Sequence, residues 1–280
     1  MVHELFNQAL ARHYEAVKNQ YPGEGRRKTR LRVLYHSWPG IALPRGSGDV
    51  PKTAPPALTE IDPNPLDQTL EDDELGLIIR TDFTNEAAWK TFCAKVEVTQ
   101  KDLISDLAGG APADDVPMEE GASSQADGTE SDSSTEVPDM IKILDPQEQS
   151  DRARLTNISN LTALRLFNEV DIRPTPPPPA GSKKISPPNP LVDRAGWQEI
   201  YTGKTLWIYD SRSNADECAR LVSQTGDFYG TATGDSWRAR ASHICELQFN
   251  LSQGMKIDFN GQDRWDWNER ARNLEEATTI

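Results

Sequence analysis

Three aspartates in this sequence stand where short apolar runs end, and this pattern can support carboxylate chemistry. Asp82 lies just beyond "LGLII", Asp145 follows "MIKIL" and Asp210 follows "LWIY". If the runs are parallel strands, the three side chains converge at the carboxyl edge of one sheet, where open α/β sheets bind their ligands. Carboxylates at that edge could hold a divalent cation or act as a general acid and base.

Arginines accompany these acids in the sequence. We take Asp82 and Asp210 as catalytic candidates, and the ligand-binding candidates are Arg80, Asp82, Asp145, Asp210 and Arg212. The alternative is a structural role, because aspartate is favoured in turns and Arg80 can neutralise Asp82 or Asp145 in an ion pair. The sequence contains no HExxH, no GxSxG, no Walker loop and no GxGxxG after a strand. We therefore predict neither a metal site nor a cofactor.

A third catalytic candidate is His243, which lies two residues before Cys245 in "ASHICEL". The two side chains would suit a nucleophile pair only if the fold supplied an acid to orient the histidine. Residues two apart share one face of a strand but lie on nearly opposite sides of a helix. The simpler interpretation is a buried cysteine beside a half-exposed histidine.

The candidate residues lie in a pattern that occurs twice. "LIIRTDFTNEAAW" and "LWIYDSRSNADEC" both run from an apolar strand through an aspartate and a hydroxyl residue to an asparagine, an acid and a helix. Thr84 or Asn85, and Ser213 or Asn214, can cap the following helices. A repeated strand-to-helix unit predicts an α/β layer.

The other elements follow from apolar spacing and turn residues. We expect an α/β or α+β fold in which a single mixed sheet has flanking helices. The predicted strands are Leu31–Tyr35, Leu75–Ile79, 140–144, Leu206–Tyr209 and Ser236–Ala239. The predicted helices are an amphipathic one over 2–20, then Asn85–Val98, "LTNISNLTALRLFNEV", Ala215–Val222, Ile244–Leu251 and a terminal one from about Asp263.

Two biased segments interrupt this pattern. The net charge is −14, and residues 109–139 hold nine acids with no lysine or arginine, which predicts a disordered insert at about 105–139. Eight prolines over 174–190 predict an extended, Pro-rich second insert. We divide the chain into an N-terminal helix and short strand (1–38), a linker (39–74), the α/β domain (75–270) and a tail (271–280).

The acidic charge argues against nucleic-acid binding and against docking on anionic membranes. Cys93, Cys218 and Cys245 are odd in number and far apart, as free thiols of a reducing compartment are. The first 23 residues are amphipathic and have no apolar h-region, so we do not expect them to be a secretory signal, and no apolar stretch approaches about 18 residues. We therefore expect a soluble cytoplasmic protein, with a protein partner possible through the N-terminal helix or the Pro-rich segment.

Several ordered blocks resemble an uncharacterised domain-of-unknown-function family of small bacterial proteins with fungal relatives. The blocks are "IIRTDFTNEAAWKTFCAKV", "DPQ", "TLWIYD" and "WRARASHICELQFNLSQGMKIDF", within about residues 75–260. The resemblance implies one α/β domain shared by both halves of the chain, and it brings no activity. The positions that match the family pattern are Arg80, Asp82, Trp89, Asp210, Asn250 and Asp258.

On these grounds we predict a binding or interaction module. The alternatives are a small hydrolase-like enzyme that uses the strand-end carboxylates, and an accessory protein of a fungal metabolic pathway.

Overall fold

The computed structural model describes residues 2–41, 52–54, 56–71, 75–109, 140–177, 181, 189–226, 231–255 and 266–280. The strands are β1 (Gly76–Arg80), β2 (Ile141–Leu144), β3 (Glu169–Pro174), β4 (Trp197–Thr202), β5 (Thr205–Tyr209), β6 (Cys218–Val222) and β7 (Ser236–Arg240). The helices are α1 (Glu4–Gln20), α2 (Arg26–Ile41), α3 (Leu58–Ile61), α4 (Glu86–Gly109), α5 (Gln149–Leu155), α6 (Asn160–Phe167), α7 (Ser213–Asp216), α8 (Ile244–Ser252) and α9 (Trp267–Glu276).

Five strands form a mixed sheet in the order β2-β1-β5-β6-β7. The pairs β1–β2 and β1–β5 are parallel, whereas β5–β6 and β6–β7 are antiparallel. β1 precedes the acidic segment and β5 follows the prolines, yet the two are neighbours, with Ile79 opposite Ile208. The predicted α/β class, a mixed sheet with flanking helices, is confirmed. The structure adds a two-stranded antiparallel ribbon, β3–β4, that the sequence did not predict.

Helices cover both faces of the sheet. Leu77 and Ile79 of β1 face a core formed with α1, α2 and α6, whereas Ile78 faces a second core formed with α4 and α8. All five residues of β1 are buried. Since successive side chains of a strand point to opposite faces, a strand covered on both sides needs a continuous apolar run. The run "LGLII" meets that need.

The N-terminal residues form two packed helices. The predicted amphipathic helix is confirmed as α1, whose Phe6, Leu10 and Tyr14 are buried within this chain. The predicted strand at Leu31–Tyr35 is wrong, because these residues belong to α2. A five-residue apolar run suits either element, and here helical spacing places Leu31 and Leu34 in the core beside α6.

The helix predicted at Ala215–Val222 is also wrong. The helical turn α7 ends at Asp216, Glu217 takes the left-handed backbone conformation with φ of 53°, and β6 begins at Cys218. Apolar residues at three- and four-residue spacing favoured a helix, but β6 lies between β5 and β7 and bonds to both. Pairing with neighbouring strands outweighed the local pattern.

One predicted helix is divided in two. The stretch "LTNISNLTALRLFNEV" contains the end of α5, a break at Asn157 with φ of 52°, the helix α6, and the start of β3. Ser159 caps α6 by accepting a hydrogen bond from the Thr162 N–H. The strand at Ser236–Ala239 and the helix at Ile244–Leu251 are confirmed as β7 and α8.

Both predicted inserts lie largely outside the described residues. α4 runs to Gly109, five residues into the predicted acidic insert, and residues 110–139 are not described. Pro174 ends β3 opposite Trp197 of β4, so the proline tract begins at the end of the ribbon. Within the described ranges, no helix has the length and apolar character needed to cross a membrane.

Candidate functional site

The three predicted acids meet at one edge of the sheet because β2, β1 and β5 run parallel. Asp145, Asp82 and Asp210 lie at the carboxyl ends of these strands. From β1 the chain passes through α4, on one face, to β2, and then through α6, on the other face, to β5. The strand order therefore switches direction between β1 and β5, which is where open α/β sheets form a ligand crevice.

Arg80 is the best-buried charge at this edge, with 1% of its side chain exposed. Its guanidinium donates to Asp145 Oδ1 at 3.2 Å, to Glu86 Oε2 at 2.8 Å and to the Asp82 carbonyl at 3.0 Å. Phe83 and Trp89 lie near it, with their ring centroids 5.0 and 4.9 Å from Cζ. The Trp89 indole also donates to Asp145 Oδ2 at 3.0 Å. Arg80 is thus a structural clamp that joins β1, β2 and α4.

Asp82 is linked to the β5 side of the crevice through α7. Its Oδ1 accepts from the Thr84 N–H and hydroxyl, at 3.1 and 2.6 Å, and from Asn214 Nδ2 at 2.9 Å. Asn214 Oδ1 in turn accepts from the Tyr209 hydroxyl at 2.7 Å. The Asn214 side chain therefore occupies the crevice between the ends of β1 and β5.

Asp210 is tied into a second set of ion pairs. Its Oδ1 accepts from the Ser213 N–H and hydroxyl at 3.1 and 3.0 Å, and its Oδ2 lies 2.8 Å from Arg238 Nη1 and 3.3 Å from Arg220 Nε. Arg220 also pairs with Glu269 of α9 at 3.0 Å, and Arg238 with Asp216 at 2.8 Å. These contacts join β5, β6, β7, α7 and α9.

The electrostatics of this edge favour the ionised forms of Asp82 and Asp210. Burial pushes the pKa of Asp82 upward, but hydrogen bonds from Thr84 and Asn214 outweigh it and the pKa lies below the ordinary value. Burial also opposes ionisation of Asp210, yet Arg238 and Arg220 bring its pKa below the ordinary value as well. Neither group is poised near neutral pH, where a general acid or base works best.

The remaining candidates lie apart from this network. Arg212 is 64% exposed and its Nη1 is 3.6 Å from Asp266 Oδ2. His243 is exposed on a 3₁₀ turn, whereas Cys245 is buried and its thiol donates to the Val96 carbonyl at 3.6 Å. Burial raises the pKa of the Cys245 thiol, which disfavours the reactive thiolate.

Among the described residues, no group of three or more His, Cys, Asp and Glu side chains is placed to hold a metal ion. Of the positions implied by the resemblance, Arg80, Asp82, Trp89 and Asp210 belong to this edge. Asn250 lies in α8, and Asp258 is outside the described residues.

The sequence pattern did not predict the residues that complete the ion pairs and hydrogen bonds at this edge of the sheet. Asn214 was considered only as a helix cap, and its bond to Asp82 spans 132 positions. Arg220, Arg238 and Glu269 were not singled out, although Arg220 interrupts the apolar stretch of the buried strand β6. A charged residue inside a buried strand needs a partner, and that signal could have identified Arg220; the half-exposed β7 offers no such signal for Arg238.

No protein-family model, no curated protein and no solved structure matches this chain. The family resemblance therefore stays a prediction, and the geometry of the site carries the functional argument.

Proposed function

We propose that this protein is a binding or interaction module whose recognition surface is the carboxyl edge of the parallel strands, defined here by Arg80, Asp82, Asp145, Asp210 and Asn214. The observation that carries the proposal is the fixed pairing of all three strand-end acids, two of which have lowered pKa values. A surface of permanent charges held by rigid neighbours suits recognition better than proton transfer.

The chemistry of the edge favours a partner that carries basic and amide groups. Arg80, Arg220 and Arg238 contact five carboxylates, namely Glu86, Asp145, Asp210, Asp216 and Glu269. Glu86 is 55% exposed; its Oε2 accepts from Arg80 at 2.8 Å, and its Oε1 has only a long contact, 4.0 Å, to Lys90. Lys90 and Arg272 also contact Glu86 and Glu269, so five cations pair with these five carboxylates. Asp82 is a sixth carboxylate and has no ion pair among the described residues, so the edge keeps acceptor capacity for a cationic segment of a partner protein.

A hydrolase using the same carboxylates is the alternative that the sequence raised. A hydrolase of this kind requires at least one acid whose pKa is raised toward neutral pH, so that it can donate or accept a proton. The pKa values of Asp82 and Asp210 are lowered instead. The lowered values favour the binding module.

Binding is tested by measuring Tm shifts against divalent cations, metabolites and a panel of basic peptides. A ligand that binds only the folded chain raises Tm. We expect a basic peptide to raise the Tm of the wild type and to have a reduced effect on Asp82→Asn. The matched control is Asp151→Asn, on the exposed face of α5, which removes the same charge elsewhere. Equal shifts in the two variants would place recognition away from the carboxyl edge.

The choice between binding and catalysis is tested by an NMR titration of the aspartate side-chain carboxyl carbons. We expect Asp82 and Asp210 to titrate below the ordinary aspartate pKa of about 3.9. An apparent pKa above about 5 for either group would contradict this expectation and would favour the catalytic alternative.

A further inference from the structure

A second region has the opposite charge balance. A cavity of about 460 Å³ lies between the first turn of α2, the turn at 64–65, α6 and the residues that follow α9. This volume is within the range of about 300–1,000 Å³ typical of small-molecule sites. We call it the α2 cleft. The charged residues of its lining are Glu24, Arg27, Lys28, Arg154, Arg165 and Glu276.

The α2 cleft contains more positive than negative charge. Four cations line it from α2, α5 and α6, and its two acids are Glu24 and Glu276. Both acids are already engaged: Arg32 Nη2 donates to Glu24 at 2.7 Å, Lys28 Nζ of the lining also lies 3.0 Å from Glu24, and Arg272 Nε donates to Glu276 at 3.3 Å. Among the described residues, Arg154 has no acid within ion-pair distance. The cleft therefore keeps an excess of positive charge.

The start of α2 strengthens this excess. Its first turn is Arg26-Arg27-Lys28 and contains no acid, although the N-terminus of a helix carries partial positive charge and favours anions. The first backbone hydrogen bond runs from the Thr29 N–H to the Gly25 carbonyl at 3.1 Å. Within the described part of the chain, the preceding N–H groups of α2 have no acceptor. Free N–H groups at the start of a helix are donors for an anion.

Two buried guanidinium groups in the lining are incompletely satisfied. Arg27 is 6% exposed, and its Nε has no hydrogen-bond partner among the described residues; its longer ionic contact is 3.4 Å to Glu169 Oε1. Burial lowers the pKa of Arg27 by more than Glu169 and Asp67 raise it. The Nε of Arg165 is likewise buried without a hydrogen-bond partner within the described ranges. Buried donors are normally paired, so these two guanidinium groups are incompletely satisfied by the described part of the chain.

The wall of the cleft is built for close packing. A Cβ on Gly25 would lie 2.4 Å from Asn64 Oδ1 and 2.8 Å from Pro65 Cδ. The turn at 64–65 can therefore approach the start of α2 only because residue 25 is glycine. This packing holds one side of the cleft at a fixed distance from the cations.

We propose that the α2 cleft binds a small molecule that carries a phosphate group. The phosphate lies against the first turn of α2, with Lys28 and Arg154 as exposed ion-pair partners and with Arg27 and Arg165 adding positive charge from the wall of the cleft. Guanidinium groups suit phosphate because they offer parallel N–H donors. The cavity is larger than inorganic phosphate, so the natural ligand has an organic part.

The test uses the full chain with inorganic phosphate as the probe, compared with chloride at equal ionic strength. We expect phosphate at about a hundred times its Kd to raise Tm by about 5 °C. The variant Lys28→Ala/Arg154→Ala changes two exposed side chains of the cleft. We expect its affinity for phosphate, measured by ³¹P NMR titration, to fall by about tenfold or more, because each charged hydrogen bond contributes at this level.

The matched control is Arg12→Ala/Lys90→Ala, which removes one arginine and one lysine from exposed positions on α1 and α4. This variant should bind phosphate like the wild type. The proposal is overturned if the wild type shows no phosphate-specific rise in Tm, or if the cleft variant and the control lose affinity equally. Neither result bears on the carboxyl edge, which is tested with basic peptides and Asp82→Asn.

Discussion

The carboxyl edge and the α2 cleft are both rich in arginine, but their charge ratios are reversed. At the edge, five cations (Arg80, Arg220, Arg238, Lys90 and Arg272) contact five carboxylates, and Asp82 adds a sixth with no ion pair among the described residues. On α2, five cations (Arg26, Arg27, Lys28, Arg30 and Arg32) share three carboxylates, those of Glu24, Asp67 and Glu169. The surplus at each site indicates the ligand that can complete it: a cationic group at the edge and an anion at the cleft.

The two regions also differ in how much space their charged groups leave for a ligand. At the edge the charged groups join eight strands and helices, and the crevice between β1 and β5 is occupied by Asn214. Both regions contain a buried guanidinium Nε without a hydrogen-bond partner among the described residues, Arg220 at the edge and Arg27 and Arg165 at the cleft, and the cleft adds a cavity of about 460 Å³. A predicted cluster of charges is therefore not in itself a site; its unsatisfied groups decide what it can bind.

The largest expected effect is the loss of an acid at the edge. Asp210→Ala leaves Arg220, which is 8% exposed, and Arg238 without their shared partner. Breaking a buried ion pair on one side costs about 3–5 kcal/mol. We expect a loss of this size in the free energy of unfolding, measured in urea, and a change within about 0.5 kcal/mol for the surface control Asp151→Ala. A loss below about 1 kcal/mol for Asp210→Ala would show that the edge is not a stabilising network.

A smaller loss is expected on the base-rich side. Glu169 contacts Arg26, Arg27 and Arg30 with its two oxygens at 3.0–3.4 Å. Glu169→Gln keeps the shape and removes the charge, and we expect it to cost about 2 kcal/mol because hydrogen bonds to charged groups contribute about 1.5–3 kcal/mol. Phosphate should offset part of this loss, since it supplies negative charge to the same helix. If Glu169→Gln lost the same free energy of unfolding with and without phosphate, the ion pairs of Glu169 would be independent of phosphate binding in the cleft.

The pH dependence of stability should come mainly from the acids with lowered pKa values. Asp82 and Asp210 have folded-state pKa values below their ordinary values. A group of this kind stabilises the folded state above its unfolded pKa of about 3.9 and loses that contribution as the pH falls through its folded pKa. We expect the urea concentration at the unfolding midpoint to decrease as the pH is lowered below about 4. The decrease should be less steep for Asp210→Asn. A wild-type midpoint that rose in acid would contradict the sign of both shifts.

The smallest effect is expected at the exposed candidate. Arg212 is 64% exposed, and its contact with Asp266 is 3.6 Å long. Exposed ion pairs contribute about 0.2–1 kcal/mol at most, so Arg212→Ala should change the free energy of unfolding by less than about 0.5 kcal/mol. A larger decrease in the free energy of unfolding, measured in urea, would indicate that Arg212 contributes to the ion-pair network of the edge.

Much of the edge could be predicted because its signals are local. The runs before Asp82, Asp145 and Asp210 are short and apolar, and parallel pairing of their strands places the three acids together. The ion pair between Arg80 and Asp145 was foreseen as the structural alternative, and it is present at 3.2 Å. Asn214, Arg220, Arg238 and Glu269 were not foreseen in these roles, because their partners are set by the packing of α7, β6, β7 and α9.

The sequence by itself determined the class of the fold, the positions of the parallel strands β1, β2 and β5, and the amphipathic helix α1. These depend on the spacing of apolar residues and on turn residues, which act over a few positions of chain. Only the tertiary structure decided that Leu31–Tyr35 is helical, that Cys218–Val222 is a strand, and which charges remain without partners. The physical reason is that burial and pairing with distant segments outweigh local preference, and a single sequence does not display its distant contacts.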